Sequence, residues 1–151
     1  MKIIECVPNF SEGRDLSKIK EITNSIESID QITLLDVDPG PDTNRTVVTF
    51  VGPPEAVEQA IFLGIKTASE VIDMSKHKGT HPRIGATDVC PLIPISNVSD
   101  KECIDLSKKI AKRVGDELGI PVFLYEKSST KNSKGSSVAI CTLKSVSNCS
   151  Y

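Results

Sequence analysis

Hydrophobic residues recur along this chain with two alternating periods, and each period predicts a different kind of element. Spacings of three and four over residues 16–29 predict a first amphipathic helix, with Asp15 as its N-cap. The apolar members of that stripe are Leu16, Ile19, Ile22, Ile26 and Ile29. The same period runs from Pro54 to about Ser75 and predicts the longest helix. A third helix is expected after the S-x-x-E capping-box signature at 99–102.

Short runs rich in β-branched and apolar residues lie between these helices and predict strands. The clearest runs are KIIECV at 2–7, ITLLDVD at 32–38, RTVVTFV at 45–51 and GIPVFLY at 119–125. We expect the runs at 32–38 and 119–125 to be buried. VCPLIPI at 89–95 contains two prolines, which favour an edge or irregular strand.

The resulting element order is β-α-β-β-α-β-α-β. This order predicts an α/β fold of the α+β sandwich kind, in which a ferredoxin-like mixed sheet has helices packed on it. Beyond Lys127 the sequence is dense in Ser, Asn and Lys, lacks acidic residues and keeps one short apolar run, VAIC. We therefore expect one domain over residues 1–127 and a divergent, mostly disordered tail over residues 128–151.

Composition narrows the class of protein. The content of 38% hydrophobic and 25% charged residues is ordinary for a globular protein, and the net charge of −2 gives no footprint for nucleic-acid binding. No apolar run is long enough to cross a bilayer, and the N-terminus does not resemble a signal peptide, so we expect a cytoplasmic protein without membrane partners. The five cysteines are irregularly spaced, which favours buried, reduced thiols.

Both histidines of the chain lie in the stretch KHKGTHPRIGATDVCP at 76–91. Gly79 and Pro82 keep His81 out of regular helix, which predicts that its imidazole is carried on a shaped loop. A histidine near its ordinary pKa can accept and return a proton at neutral pH. His81 is thus a candidate acid/base, although composition alone favours an exposed loop histidine without a role.

A metal site is the alternative interpretation of this histidine pair. His77 and His81 are four residues apart, which on a continuous helix would place both rings on one face, and Cys90 or Asp73 could supply a third ligand. Neither an HExxH motif nor paired CxxC motifs accompany them, and Gly79 undercuts a helix. We therefore expect no metal.

Several polar residues near predicted strand ends are candidate substrate ligands. Asp38 ends a strand, where a carboxylate could orient a histidine or bind a cationic amidine. Asn9 follows the first strand, at the kind of position where ligands tend to bind in α/β sheets. Asn44 and Arg45 lie in the loop DVDPGPDTNRT, where the residues alone favour local turn hydrogen bonds for Asn44. Arg83 could clasp a carboxylate bidentately.

Three blocks carry a family resemblance. They are ECVPNFSEGR at 5–14, LLDVDPGPDTNRTVVTFVGPPE at 34–55 and IDMSKHKGTHPRIGATDVCPLIPI at 72–95. Together they resemble the N-terminal subdomain of the glutamate formiminotransferase family, and the likeness continues through GIPVFLYEKS to about residue 128. The blocks occur in the family's order and cover most of the chain, so chance similarity is a poor explanation.

The resemblance implies a specific reaction. Family members move the formimino group of N-formimino-L-glutamate to N5 of tetrahydrofolate, a co-substrate, in histidine breakdown, and some relatives transfer a formyl group instead. The resemblance also implies two facing ferredoxin-like subdomains with folate in the cleft between them. It assigns the catalytic acid/base role to His81 of the HPRIGA motif and places Asp38 beside it. The lysines around the histidines would attract polyanionic folate and formiminoglutamate.

The family pattern includes a second, C-terminal subdomain, which we expect to be absent from this chain. We therefore expect the chain to form a homodimer or to pair with a separate C-terminal subdomain, because an isolated subdomain would expose a cleft wall. Two functions remain open at this level. The chain is either an enzyme, acting with such a partner, or a non-catalytic folate-binding or interaction module that retains the motifs.

Overall fold

The computed structural model describes residues 1–79, 85–126 and 138–142. The helices within these ranges are α1 (Leu16–Glu27), α2 (Pro54–Val71) and α3 (Asp100–Leu118), and one turn of 3-10 helix covers Met74–Lys76. The strands are β1 (Ile3–Cys6), β2 (Asn9–Phe10), β3 (Thr33–Gly40), β4 (Arg45–Gly52), β5 (Thr87–Ser96), β6 (Val122–Glu126) and β7 (Val138–Thr142).

The strands form one sheet in the spatial order β3, β4, β1 with β2, β5, β7 and β6. The short strands β1 and β2 follow one another between β4 and β5, so that together they occupy one position in the sheet. Helices packed on this sheet confirm the predicted α+β sandwich. The sheet differs from the expected mixed type, because every pairing between the described strands is antiparallel.

Alternation along the central strands separates the two faces of the sheet. On β4, Val48 and Phe50 are fully buried, whereas Val47 and Thr49 are only half-buried. Successive side chains of a strand point to opposite faces, so that one face of β4 meets the helices and the other does not. The core on the helical face also contains Ile4, Cys6, Phe10, Ile22, Ile26, Ile61, Ile65, Leu92 and Ile110. We call the opposite side of the sheet the open face; no helix of the described chain packs against it.

The helix termini follow the local sequence signals. Asp15 accepts hydrogen bonds from the backbone N–H groups of Ser17 and Lys18, which confirms it as the N-cap of α1. The predicted capping box at the start of α3 is present in full, with Ser99 and Glu102 each bonding the other's backbone N–H. In the predicted stripe, Ile19, Ile22 and Ile26 are buried, Leu16 is 66% exposed, and Ile29 lies half-buried beyond the end of α1 at Glu27.

The sequence predicted which segments form strands better than it predicted where those strands lie in the sheet. The run at 32–38 belongs to β3, an edge strand with mostly exposed side chains, because β4 is its one strand partner among the described residues. VCPLIPI lies in β5, which is an interior strand and not an edge strand, but the register of β5 shifts against both β1 and β2, in agreement with the alternative expectation of an irregular strand. Pro91 is tolerated there because it faces the break between β1 and β2, where its carbonyl accepts from Val7 N–H at 3.1 Å.

The segment after Lys127 also contributes to the sheet. Strand β7 lies inside the segment expected to be a mostly disordered tail, and it pairs with both β5 and β6. The apolar run VAIC therefore completes the sheet.

Three cysteines, Cys6, Cys90 and Cys103, are free and buried, as expected. In the described ranges, none of the helices combines the length and apolar character that a bilayer crossing requires.

Candidate functional site

The open face presents a lateral row of four side chains from four neighbouring strands. Asp38 of β3 pairs with Val47 of β4, Val47 pairs with Asn9 of β2, and Asn9 pairs with Val89 of β5. Directly opposed residues of antiparallel strands point to the same face. The predicted site residues Asp38 and Asn9 therefore lie in one row, about 10 Å apart because two strand spacings separate them.

Arg45 joins this row from a position two residues before Val47 on β4. Its Nε donates to Oδ1 of Asn9 at 3.0 Å, and its Nη2 lies 3.5 Å from Oδ2 of Asp88. The amide of Asn9 in turn donates to the carbonyl of Val7 at 3.0 Å. Arg45 is thus held across β2 by a neutral acceptor on one side and a carboxylate on the other, which fixes the plane of its guanidinium.

Asp88 is the residue of this group that the sequence analysis did not single out. It lies where β5 shifts register against β2, and it is 6% exposed. A buried carboxylate needs a charged or hydrogen-bonded partner, and Arg45 supplies one. The sequence offered one signal for this residue, an aspartate beside an otherwise apolar strand. That pattern alone does not show which residue pairs with it.

Asp38 occupies the edge of the row on an exposed stretch of β3. It is therefore accessible, unlike the buried strand end expected from the sequence. A ligand on the open face can therefore contact the exposed Asp38 carboxylate directly. Arg45 is bonded to Asn9 and Asp88, so no pairing between Asp38 and Arg45 has to be broken first.

A second group of contacts forms at the corner where β3 turns into β4. Asn44 has a left-handed backbone with φ of 52° and is 7% exposed. Its Oδ1 accepts from Gly13 N–H at 2.8 Å, its Nδ2 donates to the carbonyl of Lys78 at 3.0 Å, and its own carbonyl lies 3.0 Å from Nε2 of His77. Because a carbonyl can only accept, Nε2 of His77 must carry the proton in this contact. Asn44 thus connects three separate parts of the chain.

Ser11 makes a comparable pair of contacts further along the chain. Its hydroxyl donates to the carbonyl of Gly85 at 2.6 Å and its backbone N–H donates to the carbonyl of Ala86 at 2.8 Å. Asn44 therefore bonds to His77 and Lys78, shortly before residues 80–84, and Ser11 bonds to Gly85 and Ala86, directly after them. His81 and Arg83 belong to that stretch, which lies outside the described residues, so their assignments stay predictions.

The residues considered for a metal site have other partners. His77 bonds to Asn44, Asp73 caps the 3-10 turn by accepting from Ser75 N–H at 3.0 Å, and Cys90 is buried with its sulfur 3.3 Å from that of Cys6. Burial raises the pKa of the thiol of Cys6, the neighbour of Cys90, well above its usual range. Among residues 1–79, 85–126 and 138–142, no three metal-ligating side chains cluster.

Comparison with known proteins places this geometry in a family context. Residues 3–141 match the family model described as formiminotransferase domain, N-terminal subdomain, a range that extends past residue 127 and includes nearly all of β7. The chain is 52% identical over 131 residues to a formimidoyltransferase-cyclodeaminase of Dictyostelium discoideum, which covers 87% of this chain and 24% of that protein.

Two shorter relatives give the same result. A glutamate formimidoyltransferase of Streptococcus pyogenes is 49% identical over 86% of this chain and 44% of its own length. Another, from Thermoplasma acidophilum, is 45% identical over 93% of this chain and 46% of its own length. The chain thus spans less than half the length of these curated relatives.

Proposed function

Because this chain belongs to the formiminotransferase N-terminal subdomain family, we propose that it takes part in glutamate formimidoyl transfer. The proposed reaction moves the formimino group of N-formimino-L-glutamate to N5 of tetrahydrofolate. The observation that carries the proposal is the polar row of the open face, where Asp38, Asn9 and Arg45 lie on neighbouring strands within the region that matches the family. Tetrahydrofolate enters as a co-substrate.

His81 is the proposed acid/base. Attack by N5 of tetrahydrofolate on the formimino carbon forms a new C–N bond and a tetrahedral intermediate. The attacking nitrogen must then lose a proton, and the nitrogen of glutamate must gain one as its bond to that carbon breaks. A single histidine can accept the first proton and return the second, because its pKa lies near neutral pH.

Of the remaining predicted site residues, we propose substrate contacts for Arg45, Arg83 and Asp38. Arg45 is suited to a carboxylate of the glutamate portion, because a guanidinium has five N–H donors and its plane is already fixed by Asn9 and Asp88. Arg83 would supply a second cationic contact. Asp38, exposed at the edge of the row, would bind the cationic formimino group or orient the imidazole of His81.

A partner is proposed to complete the site. The open face has half-buried apolar side chains, including Val47 and Val89, in the same row as Asp38 and Asn9, and the relatives are more than twice as long as the matched region. A second subdomain, or a second copy of this chain, would cover this face and exclude water from the transfer. The exposed residues Lys76 and Lys78 lie near the corner where β3 turns into β4 and would attract anionic folate.

The direct test is an assay of the purified chain with formiminoglutamate and tetrahydrofolate, alone and with the C-terminal part of a relative. Formation of glutamate and of the formiminofolate product is measured separately. We expect transfer when the partner is present, and we expect His81→Ala to lower the rate by about 10²–10⁴-fold while leaving the circular-dichroism melting curve unchanged.

Added imidazole provides the matched control, since it can replace the missing side chain and restore part of the rate in His81→Ala. An equal rate in wild type and His81→Ala would refute the acid/base assignment. Folate binding without turnover in every combination would instead favour the non-catalytic folate-binding module.

A further inference from the structure

The strongest unassigned feature of the molecule is the pair of contacts on either side of residues 80–84. Upstream, Lys78 is bonded by the side chain of Asn44, and His77 by its carbonyl. Downstream, Gly85 and Ala86 are bonded by Ser11. Asn44 and Ser11 are both buried, at 7% and 0% exposure, so these bonds form away from competing water.

Both contact groups are tied to the same loop between β2 and α1. Ser11 belongs to this loop, and the amide of Gly13 donates to Asn44. The backbones approach so closely here that side chains would not fit. A Cβ added to Gly13 would collide with the carbonyl oxygen of Gly40, and one added to Gly79 with that of Thr43. Small shifts at this corner therefore have no free space to absorb them.

The chemistry of the asparagine side chain suits this position. One end of its amide accepts from Gly13 and the other donates to Lys78, while its backbone adopts the left-handed conformation that asparagine tolerates more readily than most residues. Both polar ends of the side chain are engaged by main-chain groups. Both ends are therefore hydrogen-bonded within the protein and are not available to bind a ligand.

We propose that Asn44 and Ser11 are positioning residues, which fix the main chain at Lys78 and at Gly85 and Ala86, on either side of the segment that carries the proposed acid/base His81. The inference rests on the proposed function, because it gives His81 its catalytic role. It reassigns Asn44, which the sequence suggested as a substrate ligand. A misplacement of a reacting group by about 1 Å can cost about 10²-fold in rate, which is the scale of effect that such a role implies.

Asn44→Asp is the sharpest variant. An aspartate keeps the acceptor for Gly13 and tolerates the left-handed backbone, but it replaces the donor to Lys78 with an oxygen. Asn44→Gly keeps the backbone conformation and loses both side-chain bonds. Asn97→Asp is the matched control, since Asn97 is also left-handed, with φ of 55°, but lies exposed at the opposite end of β5.

Two measurements are made on each full-length variant, with the partner subdomain present for the assay. We expect kcat for transfer to fall about 10–100-fold in Asn44→Asp and Asn44→Gly while KM for formiminoglutamate stays within about threefold. Ser11→Ala should lower kcat less, because its backbone bond to Ala86 remains. Asn97→Asp should match wild type in both constants.

The second measurement is independent of turnover. The chain has two histidines, so labelling with ¹³C-histidine yields two ring Hε1 signals, which His81→Ala assigns. We expect both signals to move in Asn44→Asp and neither in Asn97→Asp. Exchange of the Gly13 amide should stay slow in Asn44→Asp and become fast in Asn44→Gly, which separates the two bonds of the side chain.

An unmoved His81 signal together with an unchanged kcat in Asn44→Asp would overturn the positioning role. That outcome is distinct from failure of the proposed function, which would appear as equal rates in wild type and His81→Ala. If no combination turns over, the His81 signal alone decides: a shift in Asn44→Asp but not in Asn97→Asp supports the inference, and no shift overturns it.

Discussion

The two faces of the sheet are built from the same strands but differ in almost every physical respect. The helical face contains side chains such as Val48, Phe50 and Leu92, all with 0% exposure. The open face is formed by the alternate residues of the same strands. It contains half-buried Val47 and a hydrogen-bonded polar group centred on Arg45. Stability is concentrated on the first face and candidate chemistry on the second, so that single strands serve both.

This division makes the two roles separable by substitutions on one strand. A residue on the helical face can be removed only at the expense of packing, because its neighbours cannot close the space. A residue on the open face can change with little effect on folding unless it belongs to a hydrogen-bonded group. The following predictions test this division, from the largest expected effect to the smallest.

Phe50→Ala should give the largest effect on folding. Phe50 is among the largest fully buried side chains, and removing it leaves a cavity that lowers the free energy of unfolding by about 3–5 kcal/mol. Thr49→Ala, the adjacent position on the open face, should cost about 1 kcal/mol or less. Urea denaturation followed by circular dichroism measures both. Equal losses would show that the open face is packed as tightly as the core.

Asp38→Asn should affect transfer and not folding. We expect a rate lower by about 10–100-fold, equivalent to about 1.4–2.7 kcal/mol, from loss of the carboxylate that binds or orients the reacting groups. The unfolding free energy should change by less than about 0.5 kcal/mol, because Asp38 is exposed. The matched control is Asp36→Asn, an exposed aspartate on the same strand that pairs with Thr49. A similar fall in both variants would indicate a general charge effect.

A buried thiol on the helical face should give a smaller, pH-dependent effect. Burial raises the pKa of the Cys103 thiol from 9.0 to about 11, so the folded state retains a proton that the unfolded state loses. This contribution is fully present below pH 9 and is lost as the pH rises from 9 to about 11. Unfolding free energies of wild type and Cys103→Ala measured across this range should converge as pH rises. A constant difference across that range would contradict the assignment.

The sequence predicted elements better than their places in the sheet. Caps and apolar stripes are local signals, so Asp15 and the capping box at 99–102 were identified correctly. Whether a strand lies at an edge depends on distant partners. The interior position of β5 depends on a break between β1 and β2 that accommodates Pro91, and β7 is a strand because β5 and β6 offer two partners.

The candidate site shows the same limit. Residue type and the family resemblance selected Asp38, Asn9 and Arg45, and the strand register brings the first two into one row. No local pattern could reveal that Asp88 pairs with Arg45 across β2, or that Asn44 bonds to Lys78, since each contact joins residues more than 30 positions apart. Both contacts are products of the fold.

The most direct test of the account is the footprint of a substrate on the two faces. Titrating ¹⁵N-labelled protein with formiminoglutamate or tetrahydrofolate, with the partner subdomain unlabelled, should shift the amide signals of Asn9, Asp38, Arg45 and Val47. The signals of α1 and of the α2 face packed on the core should stay in place. Shifts concentrated on the helices, with the open-face signals unmoved, would contradict the assignment of chemistry to the open face.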